Sequence, residues 1–294
     1  MSTPQSDPIA VSSHPNRFAS KTIVITGAGG TFGRSGCLYF ALHGANVVAL
    51  DKSSEALGTA VDFVRASLPS AHAERVRGVE CDVTQQDSVK YAVRDAIAQF
   101  GRIDLLWNNA GYQGEIKHTL EYPVPDFAEV MSINVTGMFI VMQAVAQQMV
   151  SQDGDAPRTP NKYAIVNTAS VAGMRGTPAM VAYSASKAAV LAMTVSSAKD
   201  LAPHGIRVNA VSPALIGPGI MWTRQNEGHA TSGSPYFSSD PSAVAEGKVS
   251  SVPMKRLGTT EEVVNSVAFL LSDEASYTTA FNLVVDGGMS GGLH

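Results

Sequence analysis

The sequence predicts a single-domain α/β protein on a doubly wound parallel sheet of about seven strands, with helices covering both faces. Three observations predict it. Short apolar runs alternate with helical patterns from end to end. Those runs are almost continuously apolar, as strands buried on both faces must be. A glycine-rich turn also separates the first run from the first helix. At 294 residues the chain could make two small domains, but no linker-like composition divides its middle.

Taken in order, residues 1–20 are rich in Ser and Pro and lack the apolar core of a signal peptide, so they read as a flexible extension before a domain spanning 21–294. Strands are expected at 22–26 (TIVIT), 46–50 (NVVAL), 76–81, 103–107 (IDLLW), 163–168 (YAIVNT), 206–211 (IRVNAV) and 281–285 (FNLVV). Helical patterns fall near 34–43, 54–67, 86–100, 126–150, 182–202 and 260–271. The polar, turn-rich stretch 151–162 reads as a surface insertion. Residues 213–255 break the rhythm: they carry Pro, Gly and Ser with Trp222, Tyr236 and Phe237, and no strong periodicity. A stretch this long is usually functional or disordered. Following the sixth strand, beside the ligand edge of such a sheet, it reads as a substrate lid.

Hydrophobic residues make up 45% and charged residues 16%, and the net charge is −4. There is no basic footprint for nucleic acid or an anionic membrane. No apolar run approaches the ~18 residues that cross a bilayer. Cys37 and Cys81 form no disulfide framework. They fit a reducing, cytoplasmic compartment, with Cys81 buried at a strand end. The seven His are scattered without zinc-ligand spacing, so no metal is expected.

The first strand runs into Thr26-Gly-Ala-Gly-Gly-Thr-Phe-Gly33. Glycines there let the backbone approach a pyrophosphate, which the N–H groups of the following helix then stabilise. The binding residues predicted are Gly27, Gly29, Gly30, Thr31, Phe32 and Gly33. Asp51 ends the second strand, where a carboxylate accepts from the adenosine ribose hydroxyls. A 2′-phosphate would face its charge at a cost of at least a few kcal/mol. NAD is therefore expected over NADP, although Lys52 and Arg34 could soften the exclusion. Asp82 and Val83 follow the third strand. Asp82 can meet the adenine amino group, cap the next helix, or do both. Asn109, Ala110 and Gly111 follow the fourth strand and allow close approach to the ribose.

Ser170 follows the 163–168 strand, and Tyr183 and Lys187 lie one helical turn apart on one face. Bringing a phenol of pKa about 10 down by roughly three units takes about 4 kcal/mol. An ammonium at ~4 Å supplies about that at a protein-like dielectric. The pair can therefore move a proton on an alcohol or carbonyl oxygen, although the same spacing also occurs on plain amphipathic helices.

Together these residues resemble the short-chain dehydrogenase/reductase family over roughly 20–290. The likeness rests on TGAGGTFG at 26–33, CDV at 81–83, NNAG at 108–111, SINV around Asn134, Ser170, YSASK at 183–187, RVNAVSPA at 207–214 and VDGG at 285–288. The resemblance implies a Rossmann-like domain and hydride transfer between NAD(P) and an alcohol or carbonyl. It implies Tyr183 as acid/base, Lys187 as its activator, Ser170 as anchor of the substrate oxygen, and Asn134 as holder of a water that relays protons to Lys187. It also implies pairing of the helices near 126–150 and 182–202 between subunits, hence a homodimer or homotetramer. Two departures stand out. Thr31 replaces a usual Gly, and Pro213-Ala214 with Pro218 replaces the usual Pro-Gly and downstream Thr. The nicotinamide side then relies on backbone groups near Pro213 and Ile216. A non-catalytic NAD-binding protein would commonly lack the Tyr or Lys that are present here. A sugar epimerase would need a larger C-terminal domain.

A narrower resemblance, to bacterial NAD-dependent xylitol dehydrogenases of this family, lies in NNAGYQG (108–114), GPGIMWTRQ (217–225), SPYFSSDP (234–241) and SVPMKR (251–256). It implies a polyol such as xylitol and its ketose. A polyol pocket needs several hydrogen-bonding side chains. Gln113 and Glu115 are the leading candidates, followed by Arg224, Gln225 and Asn226. Val171, Met174, Met221 and Trp222 would instead suit a more apolar alcohol or a cyclic or 3-oxoacyl carbonyl compound. Both readings stay open at this level.

Overall fold

The computed structural model describes residues 16–152 and 162–291. Its strands are β1 (Thr22–Thr26), β2 (Asn46–Asp51), β3 (Val76–Glu80), β4 (Leu105–Asn108), β5 (Tyr163–Thr168), β6 (Ile206–Pro213) and β7 (Asn282–Val285). Its helices are α1 (Thr31–Leu42), α2 (Ser54–Ser67), α3 (Gln86–Phe100), α4 (Val124–Met131), α5 (Met138–Ser151), α6 (Ala172–Arg175), α7 (Val181–Leu201), α8 (Ile220–Thr231), α9 (Pro241–Ser251) and α10 (Thr260–Leu271). All strand pairs are parallel, in the order β3-β2-β1-β4-β5-β6-β7. The order reverses between β1 and β4, so the loops leaving these two strands diverge and open a crevice at their carboxyl ends.

Strands β1, β4, β5 and β6 are buried along their whole length. Two apolar layers flank the sheet. One unites α1, α2 and α10 through residues such as Phe40, Val61 and Val267. The other unites α3 and α5 through Val89, Val141 and Met149. Gly36 on α1 has a packing reason: a Cβ there would lie 2.2 Å from the ring of fully buried Trp107 on β4.

Three expectations need correction. The helix expected at 126–150 runs from Val124 to Ser151, 28 residues, and is long and apolar enough by composition to cross a membrane. Here Val141, Met142, Val145 and Met149 pack on the sheet as part of the core. Its turn Ser132–Gly137 is π-helical. Residues 16–20 are no loose extension. Phe18 is buried edge-on against Phe40, and Arg17 pairs with Glu274 at 2.5 Å. The rest of the N-terminal extension and most of the 151–162 insertion lie outside the described residues. Finally, the 213–255 stretch is largely helical. α8 buries Asn226 and His229 and α9 buries Val244. Neither helix buries an apolar stripe, so neither announced itself by periodicity.

Candidate active site

A cleft of about 840 Å³ opens along the carboxyl ends of the strands and extends under α8 and α9. One end is the glycine turn. Gly27 has φ +67°, and a Cβ on Gly33 would stand 2.1 Å from the Gly27 carbonyl oxygen. The loop can fold this tightly only without those side chains. Gly27, Gly30, Thr31 and Phe32 line the cleft, and α1 begins at Thr31 with its N–H groups at the loop. Gly29 and Gly33 shape the turn from behind. Asp51 lines the cleft, its Oδ2 accepting from Gly29 N at 2.9 Å and its Oδ1 from Ser53 N at 3.0 Å. Arg34 is stacked over Phe63, 5.1 Å from the ring centre.

Thr26 was missed by the sequence reading. Its Oγ1 accepts from Asn109 N at 2.8 Å and Ala110 N at 2.9 Å, and Asn109 Nδ2 donates back to the Thr26 carbonyl at 3.2 Å. The last residue of β1 thus fixes the Asn109-Ala110-Gly111 wall against the glycine turn. A hydroxyl at the end of a central strand was the available signal. Asp82 and Val83 are not among the cleft-lining residues. Asp82 Oδ1 is taken by Thr84 N at 2.9 Å and Thr84 Oγ1 at 2.7 Å, a local turn. Val83 packs in the core. The N-cap of α3 is Gln85, so Asp82 does not cap that helix.

Ser170, Tyr183 and Lys187 meet in the middle of the cleft. Ser170 Oγ accepts from Ala172 N at 3.2 Å and donates to the Pro213 carbonyl at 3.4 Å, which ties the end of β5 to β6. Lys187 is buried, with Nζ donating to the Thr168 carbonyl at 2.7 Å and standing 5.5 Å from the centre of the Tyr183 ring. Burial lowers its pKa to about 8. Tyr183 is half-buried, and burial raises its pKa, while the Ser170 hydroxyl pulls the other way. The Lys187 charge expected to lower the phenol is thus opposed by desolvation of the Tyr183 side chain.

Asn134 lies fully buried in the π-helical turn. Its Oδ1 accepts from Tyr112 N at 2.7 Å, and its Nδ2 donates to the Tyr112 carbonyl at 2.8 Å and Ser186 Oγ at 2.9 Å. With both ends of the amide engaged, the side chain braces the wall of the cleft. A π turn disturbs the regular i→i−4 ladder, the kind of local change found at functional sites.

On the nicotinamide side, Pro213 and Ile216 line the cleft. Leu215 O and Gly217 N are engaged with Gly258, at 2.9 and 3.0 Å. The N–H of Ile216 makes no hydrogen bond among the described residues. Under the lid, Gln113, Met221 and Trp222 line the cleft, as do Val171 and Gln225, and Gln225 Nε2 donates to Gln113 Oε1 at 3.3 Å. Two predicted substrate residues are elsewhere. Glu115 is exposed beside Lys117, because its backbone N–H is bound by Asp126 and turns the loop outward. Met174 points to the β7 side, with its sulfur 3.3 Å from Asn282 Nδ2. Arg224 is exposed, and Asn226 is buried against Lys248. The sequence reading also missed His229, Lys248 and Arg175, all of which line the cleft.

A tight glycine turn opening a helix, a carboxylate at the end of the second strand, and a Ser–Tyr–Lys set beside it fit a bound nicotinamide dinucleotide, and define an oxidoreductase acting on CH–OH groups. The chain belongs to the short-chain dehydrogenase/reductase family. A profile of the family described as Enoyl-(Acyl carrier protein) reductase matches residues 27–290. The crystal structure of an NAD+-bound xylitol dehydrogenase superimposes with a TM-score of 0.86 at 46% identity, covering 92% of this chain and 100% of that one. Levodione reductase of Leifsonia aquatica is 35% identical over 96% of this chain and 98% of its own length. The 3-oxoacyl-(acyl-carrier-protein) reductase of Thermotoga maritima is 35% identical over 93% and 99%. The protein is thus a secondary alcohol/ketone oxidoreductase of this family.

Proposed function

We propose that the protein is an NAD-dependent dehydrogenase of a polyol, with xylitol and its ketose as the representative pair. The observation that carries this reading is the Gln225–Gln113 contact facing the cleft that holds Tyr183 and Ser170. Amide side chains lining the same cleft as the reacting groups suit a substrate with several hydroxyls. Similarity to the NAD+-bound xylitol dehydrogenase supports it, and so does Asp51 on the adenosine side, whose charge repels a 2′-phosphate.

When bound, the cofactor accepts or supplies the hydride and, oxidised, adds a positive charge beside Tyr183. In oxidation Tyr183 takes the proton of the substrate hydroxyl; in reduction it returns it. Ser170 Oγ stabilises charge developing on that oxygen. Lys187 favours the phenolate, and the main-chain carbonyl of Asn134 holds the water that feeds Lys187. Residues 213–255 close over the substrate. The same reading includes a cytoplasmic homodimer or homotetramer, supported by half-exposed Phe139 on α5 and Val195 on α7.

A second reading, a cyclic or 3-oxoacyl carbonyl substrate, is favoured by Val171, Met221 and Trp222 in the same cleft and by the levodione and 3-oxoacyl reductases among the relatives. Absorbance at 340 nm decides between them. A panel of xylitol and other polyols, cyclohexanol and 3-hydroxyacyl compounds is offered with NAD. A kcat/KM for polyols at least ten-fold above the other classes is expected; the reverse ranking would replace the first reading by the second.

A further inference from the structure

Lys248, on α9 in the lid, lines the same cleft as Tyr183. Its Nζ donates to Asn226 Oδ1 at 2.8 Å and lies 2.8 Å from His229 Nδ1, both on α8. The rings of Trp222 and Phe237 flank it, at 5.3 and 5.8 Å from their centres. An ammonium has three donors, and the third has no acceptor among the described residues. No carboxylate lies within ion-pairing distance of it among them either. A half-buried cation without a counter-ion is costly. A lid needing only adhesion between two helices would be better served by an apolar side chain.

The remaining charges of the cleft sharpen the point. Asp51 is its sole carboxylate among the described residues and stands at the glycine turn, hydrogen-bonded to Gly29. At the substrate end the charged side chains are Lys187, Arg175 and Lys248. Lys187 is engaged with the Thr168 carbonyl. Arg175 binds the Met289 carbonyl and lies in the field of Asp286. Among the described residues, Lys248 alone of these three brings a positive charge with no protein anion or main-chain carbonyl to meet it. His229 does not supply one: its Nδ1 faces the ammonium, and as the acceptor of that hydrogen bond it is neutral.

Resting on the dehydrogenase reading above, we propose that Lys248, framed by Asn226, His229, Trp222 and Phe237, is a subsite for an anionic group on the substrate. The substrate class of that reading then extends to polyhydroxy carboxylates of the aldonate class, which keep the hydroxyls of a polyol and add the anion that Lys248 meets. The carboxylate is a spectator held by Lys248, while one secondary CH–OH of the same molecule becomes C=O at Tyr183 and its hydride passes to NAD. The flanking rings exclude water from the ion pair and so strengthen it.

The test compares xylonate with xylitol on the full-length enzyme with saturating NAD. Wild type is expected to show at least ten-fold higher kcat/KM for xylonate. Lys248→Met, which keeps length and loses charge, should cut the xylonate-to-xylitol ratio at least ten-fold, chiefly through KM. Lys248→Arg should restore most of it. Binding gives a readout independent of turnover: calorimetry on the NAD-loaded Tyr183→Phe protein should detect xylonate more tightly than xylitol, with the difference gone in the added Lys248→Met background. Equal or higher preference for xylitol overturns the inference and leaves the dehydrogenase reading standing. A Lys248→Met variant that weakens both compounds alike does the same, since it makes Lys248 a brace of the lid. Xylonate binding without turnover of any alcohol in the panel would keep the subsite and remove the dehydrogenase reading.

Discussion

The amide nitrogen of Gly29 donates to Asp51 Oδ2 at 2.9 Å, so the glycine turn after β1 and the carboxylate ending β2 are one structural unit. A Cβ on Gly29 would also lie 2.7 Å from Ala56 Cβ. The cofactor end is thus preset by contacts inside the protein, and Asp51 holds its orientation while facing the cleft.

Replacing Asp51 with Ala removes both the ribose acceptor and the charge that opposes a 2′-phosphate. The ratio of kcat/KM for NADP over NAD should rise roughly 30- to 100-fold, equivalent to about 2–3 kcal/mol. Initial rates with both cofactors measure it, and an unchanged ratio would remove Asp51 as the discriminator.

Tyr183→Phe keeps the ring and deletes the proton. Loss of general acid–base catalysis is expected to lower kcat by about 10²–10⁴, while NAD binding measured by fluorescence quenching stays within about three-fold. Near-normal turnover would show that another group moves the proton.

Activity should also respond to pH with opposite signs in the two directions. Burial raises the pKa of Tyr183 and lowers that of Lys187 to about 8. Oxidation needs the phenolate, so its kcat/KM should rise as pH increases from neutral; reduction needs the phenol and should fall at the alkaline end. In Lys187→Met the rising limb should move to higher pH. A flat profile in both directions would contradict Tyr183 as the titrating group.

Gly36→Ala tests the α1–β4 contact. Helix propensity favours Ala by about 1 kcal/mol, but the new methyl meets the Trp107 ring, which is held by its Nε1 donating to Thr168 Oγ1 at 2.9 Å. Overpacking of this kind costs about 1–3 kcal/mol, so a net decrease in Tm is expected in a thermal scan. A higher Tm would mean that the indole can shift.

His229 makes the lid sensitive to acid. It is 2% exposed, and burial, followed by the Lys248 charge, lowers its pKa to about 4 from an ordinary 6.5. The unfolded chain takes up this proton near 6.5 and the folded chain resists to about 4. The contribution is therefore complete above about pH 6.5 and is lost as pH falls toward 4, amounting to about 2 kcal/mol by pH 5. Urea unfolding at pH 7.5 and 5.0 should show wild type losing more stability than His229→Gln by about that amount. Equal losses would place the titration elsewhere.

The strands were legible because parallel strands buried on both faces must be nearly all apolar: TIVIT and YAIVNT could hardly be anything else. The glycine turn, Asp51 and the Ser170, Tyr183 and Lys187 set were legible because each needs a particular residue type at a fixed place on that frame. Helices α8 and α9 were not, because what they bury is mainly Asn226 and His229 rather than an apolar stripe. Glu115 and Met174 carried the right chemistry for a pocket, but the Asp126 contact and the β7 neighbour direct them away.

By itself, then, the sequence determined the sheet, its helical layers and the residues that can handle a nicotinamide and a proton, since these follow from local pattern and residue chemistry. Tertiary structure alone decided that burial raises the pKa of Tyr183, that Asn134 is a brace, and that Lys248 lines the cleft with no carboxylate within ion-pairing distance among the described residues. Those outcomes depend on which distant groups surround a side chain and on how much water they exclude, and neither is encoded in the spacing along the chain.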